Sequence, residues 1–268
     1  MQLRSALRLS TLGLFALLAF VLAAIPAKAA DVKVMISSGF FHVYSELGPA
    51  FEKATGHHLI TTRGPSVGDS PEAIPARLTR GEEADVAIMD GSGVNFLVAH
   101  NLARADSKIV LAESSFGMVV RSGLPKPDIS TVDALRKTLL AAKSIAYSDS
   151  GSGTYLSNVG FKKLGVAEQV ASKSHKVRGP PSGESVASFV AHGGADIGFQ
   201  QVAELINVPG ADFVGTVPAE IQPPAFFVGM LPTKSKQPEA AVALLRFLSS
   251  EKAAPVIAKA GLKPLAPH

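Results

Sequence analysis

The sequence predicts an α/β protein of two lobes, each a mainly parallel sheet flanked by helices, with a ligand cleft between them. Three observations carry this prediction. Short β-rich runs alternate with amphipathic stretches of ten or so residues, the pattern of βαβ units. Two blocks of such units are joined by β-rich runs near residues 116 and 225, so the chain crosses between the lobes twice. Finally, 268 residues that are 47% hydrophobic and contain no cysteine must draw their stability from a large core rather than from disulfides.

The first 29 residues read as an export signal and not as part of the fold. Arg4 and Arg8 supply a positive start, Leu12 to Ala24 an apolar run, and Ala27-Lys28-Ala29 an A-x-A exit site. The apolar run is shorter than the roughly 20 residues a membrane span needs. Cleavage after Ala29 would leave 239 of the 268 residues, and with no second apolar span the mature chain is expected in a periplasm.

The first lobe is expected over 30–114, completed by 222–268, and the second over 115–221. Val32 to Ile36 forms the first strand, followed by Ser37-Ser38-Gly39 and a helix from about Tyr44 to Ala54 that Gly56 stops. His58 to Thr62 is the second strand. The loop Gly64 to Ser70 leads to a helical stretch ending at Arg80-Gly81. Within that stretch Pro75 lacks the N–H an interior position requires, so a kinked or irregular helix start is expected. Asp85 to Met89 is a third strand, ended by Asp90-Gly91-Ser92-Gly93. The second lobe opens with the strand Phe116 to Arg121 and the turn Pro125-Lys126-Pro127. Helix Val132 to Ala142, strand Ser144 to Tyr147 and a helix from Gly153 follow, then a strand near Lys176, helix Ser182 to His192 and strand Ile197 to Gln200. The β-rich run Ala225 to Leu231 and two helices, Pro238 to Ser249 and Glu251 to Ala260, bring the chain back to the first lobe.

Charge excludes one class of function. The net charge of +4 owes Arg4, Arg8 and Lys28 to the signal, so the mature chain is nearly neutral at +1. With three Tyr and no Trp it has neither a polyanion-binding surface nor a stacking platform, and a nucleic-acid partner is not expected.

Four strand-to-helix junctions share a small, hydroxyl-bearing, glycine-containing character: Ser37-Ser38-Gly39, Ser66 to Ser70, Ser148-Asp149-Ser150-Gly151-Ser152-Gly153, and Pro181-Ser182-Gly183. Helix N-termini present unpaired N–H groups and partial positive charge, small residues admit an anion to them, and hydroxyls add donors. Several such junctions turned into one crease would make a site for an oxyanion or for carboxylates. Ordinary N-capping by Ser and Asp is the competing explanation of each junction taken singly. Arg77 is a candidate for a bidentate carboxylate contact, or else lies on a solvated helix face. Arg63 and Arg178 have the same two readings.

His42, Asp69, Asp149 and Tyr155 are the groups near these loops able to move protons, and each could equally be a surface, capping or core residue. No cysteine is available as a metal ligand, and His57-His58 are adjacent on a strand and so point to opposite faces. No G-x-S-x-G elbow, Walker loop or dinucleotide fingerprint occurs, so no cofactor is expected.

The strand before Ser37-Ser38, the stretch Phe51-Glu52-Lys53-Ala54-Thr55-Gly56, Ala84-Asp85-Val86-Ala87-Ile88 and the closing Pro238-Glu239-Ala240-Ala241 resemble the periplasmic solute-binding proteins of the molybdate-binding type. The resemblance runs over essentially the whole mature chain. It implies the two-lobed periplasmic binding protein fold of type II, and it sets Ser38 and Ser66 where that family holds an oxyanion. The chain departs from that family where a Tyr is typical and Gln200-Gln201 stand. It departs again in the Gly68-Asp69-Ser70-Pro71 segment and in the run Ser148 to Gly153.

A closer resemblance is to exported isomerases built on this fold that interconvert trans- and cis-aconitate. It rests on Ser37-Ser38-Gly39, Pro65-Ser66, Gly68-Asp69 with Ala73-Ile74-Pro75 and Arg77-Leu78, Ala146 to Ser150 with Gly153 and Tyr155 to Ser157, and Gly198-Phe199-Gln200-Gln201. This resemblance implies an allylic proton shift on a tricarboxylate, performed by one base among Asp149, Tyr155, Asp69 and His42. Ser37, Ser38, Ser66, Arg77, Ser148, Ser150, Ser152 and Gln200 would bind the substrate. The alternative is a monomeric binding module that hands a small anion to a membrane permease.

Overall fold

A computed structural model of the chain describes residues 29–222 and 224–265; the export segment read at 1–29 lies outside them, except for Ala29. Four strands come first: β1 (Asp31–Ile36), β2 (His58–Arg63), β3 (Val86–Asp90) and β4 (Ile109–Ser114). Five follow: β5 (Phe116–Arg121), β6 (Ile145–Ser148), β7 (Ser174–Val177), β8 (Ile197–Gln201) and β9 (Ala211–Thr216). The last two are β10 (Ala225–Met230) and β11 (Lys263–Pro264). They build two sheets, in the orders β11-β4-β10-β3-β1-β2 and β7-β6-β8-β5-β9. Each sheet is the centre of one lobe. Ser115 alone separates β4 from β5, so the chain passes straight from one sheet into the other.

The sheets are mixed rather than mainly parallel. β1 pairs in parallel with β2 and β3, and β6 with β7 and β8, whereas β10 runs against β3 and β4, and β5 against β8 and β9. The cause lies in the crossings. A strand of a βα unit runs toward the cleft with its C-terminal end, but β5 and β10 enter their lobes from the cleft and must run away from it.

The helices are α1 (Ser38–Thr55), α2 (Ile74–Thr79), α3 (Gly91–Ala99), α4 (Val132–Ala141), α5 (Gly151–Tyr155), α6 (Phe161–Lys163), α7 (Ala167–Ala171), α8 (Val186–Ala191), α9 (Val202–Leu205), α10 (Pro238–Leu248) and α11 (Ala254–Lys259). α1 starts six residues before the expected Tyr44, because nothing between Ser37 and Tyr44 breaks a helix and Phe40, Val43 and Tyr44 all face the core. Gly56, at φ 76°, ends it by donating its N–H to the Glu52 carbonyl, the left-handed stop expected of glycine. The start expected to be kinked or irregular is irregular: residues 71–73 form a turn and α2 begins only at Ile74, so Pro75 lies in the first turn, where no N–H is needed. Asp90 to Gly93 start α3 as well as ending β3, with the Asp90 carboxylate accepting the Ser92 N–H at 2.8 Å.

The first lobe's core gathers Val34, Ile36, Phe40, Phe51, Phe227 and the Leu244, Leu245 and Leu248 face of α10. Phe40 and Phe227 meet at 5.8 Å between ring centres, directly beneath the start of α1. The second lobe packs Met118, Leu135, Leu139, Ile145, Ile197 and Phe199. Each fully buried side chain of this size contributes roughly 1.5–3 kcal/mol. These two cores hold the cleft-facing strand ends rigid.

Candidate active site

The C-terminal ends of β1 and β2 from one lobe face those of β6 and β8 from the other, where an α/β fold places ligands. Between them lies a small pocket, with about 20 Å³ of free space in this closed arrangement. The first lobe lines it with Ser37, Ser38, Gly39, Pro65, Ser66 and Phe227; the second contributes Asp149, Ser150, Gly179, Pro180, Gln200, Gln201 and Glu204.

Ser37 is the N-cap of the 18-residue α1, but its side chain makes no capping bond, and its buried hydroxyl has no partner among the described residues. The first turn of α1 therefore offers the pocket free N–H groups, a free hydroxyl and the positive end of a long helix. Gly39 is needed at this spot, because a Cβ there would collide with the Phe227 ring and lie 2.8 Å from Gln201 Oε1.

Behind Ser38 sits the guanidinium of Arg63. It lies 4.1 Å over the Phe41 ring and donates to Ser38 Oγ at 3.1 Å, while its Nε is buried and unpartnered among the described residues. Burial pulls its pKa below the usual arginine value and the nearby Glu204 opposes that.

The lobes are closed on each other. The Ser66 N–H donates to Ser150 Oγ at 3.2 Å, and Gln201 Nε2 donates to Asp90 Oδ2 at 2.6 Å. At the rim, Asp69 pairs with Lys176 at 3.4 Å and Ser182 donates to Glu72. Gly68, at φ 113°, lets the loop pass within contact of the Asp149 carbonyl.

Of the sequence-predicted residues, the structure brings Ser37, Ser38, Ser66, Asp149, Ser150 and Gln200 into one pocket and leaves the others out. His42 is exposed on α1 beside Glu46. Asp69 is a solvent-exposed rim residue whose pairing with Lys176 crosses the cleft mouth. Tyr155 donates its hydroxyl to the Ile221 carbonyl at 2.8 Å and packs on Phe116, away from the pocket. Ser148 and Ser152 bond each other at 3.1 Å, and Ser148 caps the Gly153 N–H; they stiffen the start of α5 without lining the pocket. Arg77 turns the other way, ion-paired to Glu82 and donating to the Arg63 carbonyl at 3.1 Å. Of the junction leading to α2 only its start, Ser66, reaches the pocket, since the Ile74 N–H is consumed by the Pro65 carbonyl, and the Pro181-Ser182-Gly183 junction stays out, Gly179-Pro180 lining the pocket instead.

Glu204 is the residue that sequence reading missed. It lies on α9, four residues after Gln200 of β8, and Gln200 Nε2 donates to its Oε2 while Gln200 Oε1 accepts the Val186 N–H at 3.1 Å. Burial, reinforced by the Asp90 and Asp149 carboxylates and opposed by Arg63, pushes its pKa up to about 8. Burial also raises Asp149, against the lowering influence of the Gly179 N–H, Arg178 and Lys176. Among the described residues no group of three or more His, Cys, Asp or Glu is placed to hold a metal ion.

The Glu204 shift has a measurable sign. Between its usual value of 4.5 and about 8, the folded state keeps a proton that the unfolded chain has lost. The stability this group supplies is therefore full below pH 4.5 and is lost as pH rises to about 8. Asp149 adds to the same trend. The exposed acids with lowered pKa, Asp69 and Glu83, finish titrating below this window. Thermal unfolding followed across pH is expected to show a melting temperature that falls from about pH 5 to 8 and then levels, with Glu204→Gln flattening the slope.

The model of the family described as bacterial extracellular solute-binding protein matches residues 32–263. An aconitate isomerase from a Pseudomonas species is 45% identical over 262 residues, covering 96% of this chain and 97% of that protein. Among solved structures, the periplasmic molybdate-binding protein of Azotobacter vinelandii superposes with a TM-score of 0.68 at 21% identity, covering 88% of this chain and all of that one. The sulfate-binding protein of Mycobacterium tuberculosis H37Rv gives 0.69 at 20% identity, covering 89% and 88%.

Proposed function

The chain belongs to the bacterial extracellular solute-binding protein family, and from that premise we propose that it is an enzyme, an isomerase interconverting trans- and cis-aconitate by an allylic proton shift. The observation that carries this reading is the 45% identity, over nearly the whole of both chains, to an aconitate isomerase. The cleft takes a small anionic ligand, and a tricarboxylate suits its donors. The first turn of α1, the hydroxyls of Ser37, Ser38 and Ser150 and the charge of Arg63 would hold carboxylates and stabilise the negative charge that spreads onto them. Asp149 is the base: one of its oxygens is fixed by the Gly179 N–H at 3.1 Å, and the other can take a proton from the methylene carbon. The electron pair enters the allylic system and a proton returns at its far carbon. Substrate entry requires the lobes to open about the crossings at Ser115 and at residues 217–222. No described helix is long and apolar enough to cross a membrane, and the protein works as a periplasmic monomer after removal of residues 1–29.

Proton NMR of trans-aconitate with the purified protein tests this directly. The expected result is catalytic appearance of cis-aconitate, with His42→Ala within about twofold of the parent rate, since its ring lies on an exposed helix face. A folded protein that binds trans-aconitate but never converts it would instead be the substrate-binding component of a transporter.

A further inference from the structure

We propose that Glu204 is a second catalytic residue, the acid that delivers a proton to the far carbon of the allylic system while Asp149 takes one from the methylene carbon; this rests on the isomerase reading above. β6 and β8 are adjacent parallel strands, and Asp149 and Glu204 follow their C-terminal ends, so two carboxyl groups line the same side of one pocket. Across from them stands the start of α1. Each carboxyl has one oxygen already engaged. Gln200 Nε2 donates to Glu204 Oε2, and Gln200 is itself fixed by the Val186 N–H; Gly179 N–H donates to Asp149 Oδ1. That leaves Oε1 of Glu204 to carry a proton and Oδ2 of Asp149 to accept one.

The surroundings divide the roles. Burial together with the Asp90 and Asp149 carboxylates favours the protonated form of Glu204, against Arg63 alone, whereas the effect of burial on Asp149 is opposed by the Gly179 N–H, Arg178 and Lys176. Neighbouring acids near a single cation do not all ionise, and the one among acids keeps its proton. The neutral Glu204 that results at neutral pH is the form able to donate.

The step balances without a co-reactant. Asp149 Oδ2 gains the methylene proton, the C–H electron pair forms the new double bond to the central carbon, and the old double bond's pair takes the Glu204 proton at the far carbon. Exchange with water then removes the proton from Asp149 and restores one to Glu204.

Two readouts test this. With trans-aconitate in deuterated buffer, early cis product is expected to carry one deuterium in its new methylene, because both carboxyls exchange with solvent. Glu204→Gln, which keeps an acceptor for Gln200, is expected to lower kcat by about 100-fold or more while KM stays within about threefold. Should that variant fail to fold, the wild-type pH profile serves instead: kcat falls above about pH 8 as Glu204 loses its proton. A single carboxylate base would hold a plateau there. Product dominated by internally returned hydrogen, a Glu204→Gln kcat within about tenfold of wild type, or that alkaline plateau overturns the two-acid assignment and leaves the isomerase standing. A wild-type protein that converts nothing overturns both.

Discussion

Asp149→Asn is expected to lower kcat by about 10³-fold while leaving the affinity for tricarballylate, a saturated tricarboxylate that cannot isomerise, within a few-fold. The amide is nearly isosteric, and its oxygen can still accept the Gly179 N–H that now binds Oδ1, so the loop and the neighbouring Ser150 keep their places. Only the basic oxygen is lost. Burial that raises the Asp149 pKa makes the ionised form a stronger base than a surface aspartate, and general-base catalysis gains from that match to working pH. The substitution also removes a buried negative charge, so stability is expected to hold or rise. Isothermal titration with tricarballylate separates the two effects. If Asp149→Asn turns over within about tenfold of the parent, the base is elsewhere, and Glu204 acting alone would be the group to test.

What sequence alone could and could not show follows from how each residue reaches the cleft. Ser37, Ser38 and Ser150 sit at or within two residues of a strand or helix end and Ser66 three beyond β2, so their position in the βα alternation is also their position in space. Asp149 follows β6 for the same reason. Glu204 does not: it lies in the first turn of a four-residue helix, where an acid reads as a solvated face. The nearness to β8 was the available signal, since that cleft-facing strand ends at Gln201 and α9 begins at the next residue. Arg63 and Arg77 flank one loop and are alike in sequence terms. Arg63 ends β2 and reaches Ser38 and Phe41 of α1, while Arg77 falls late in a six-residue helix and turns to Glu82 and the Arg63 carbonyl. The mixed sheets were hidden because periodicity shows that a strand exists without showing the end at which the chain enters it.

Asp85→Ala is expected to cost about 3–5 kcal/mol of stability and to leave kcat of the folded fraction unchanged. Asp85 is buried just before β3, at the end of that strand remote from the cleft. Its Oδ2 accepts the Lys33 N–H at 2.9 Å, and its Oδ1 accepts the Lys236 N–H at 2.7 Å, the Gln237 N–H at 2.9 Å and the Ser235 hydroxyl at 3.2 Å. Gln237 is the N-cap of α10 and has no side-chain capping bond of its own. One carboxylate therefore ties β1 to the start of the returning helix and supplies the negative charge that end favours. Alanine would leave three backbone N–H groups without acceptors, at about 1–3 kcal/mol for each that stays dry. It would also loosen α10, whose Ala241, Leu244, Leu245 and Leu248 are fully buried in the first lobe's core. Urea unfolding measures the loss. A change below about 1 kcal/mol would mean that water replaces these bonds and that the returning segment is held by its apolar face alone, in which case α10 should tolerate changes at Gln237 and fail at Leu244.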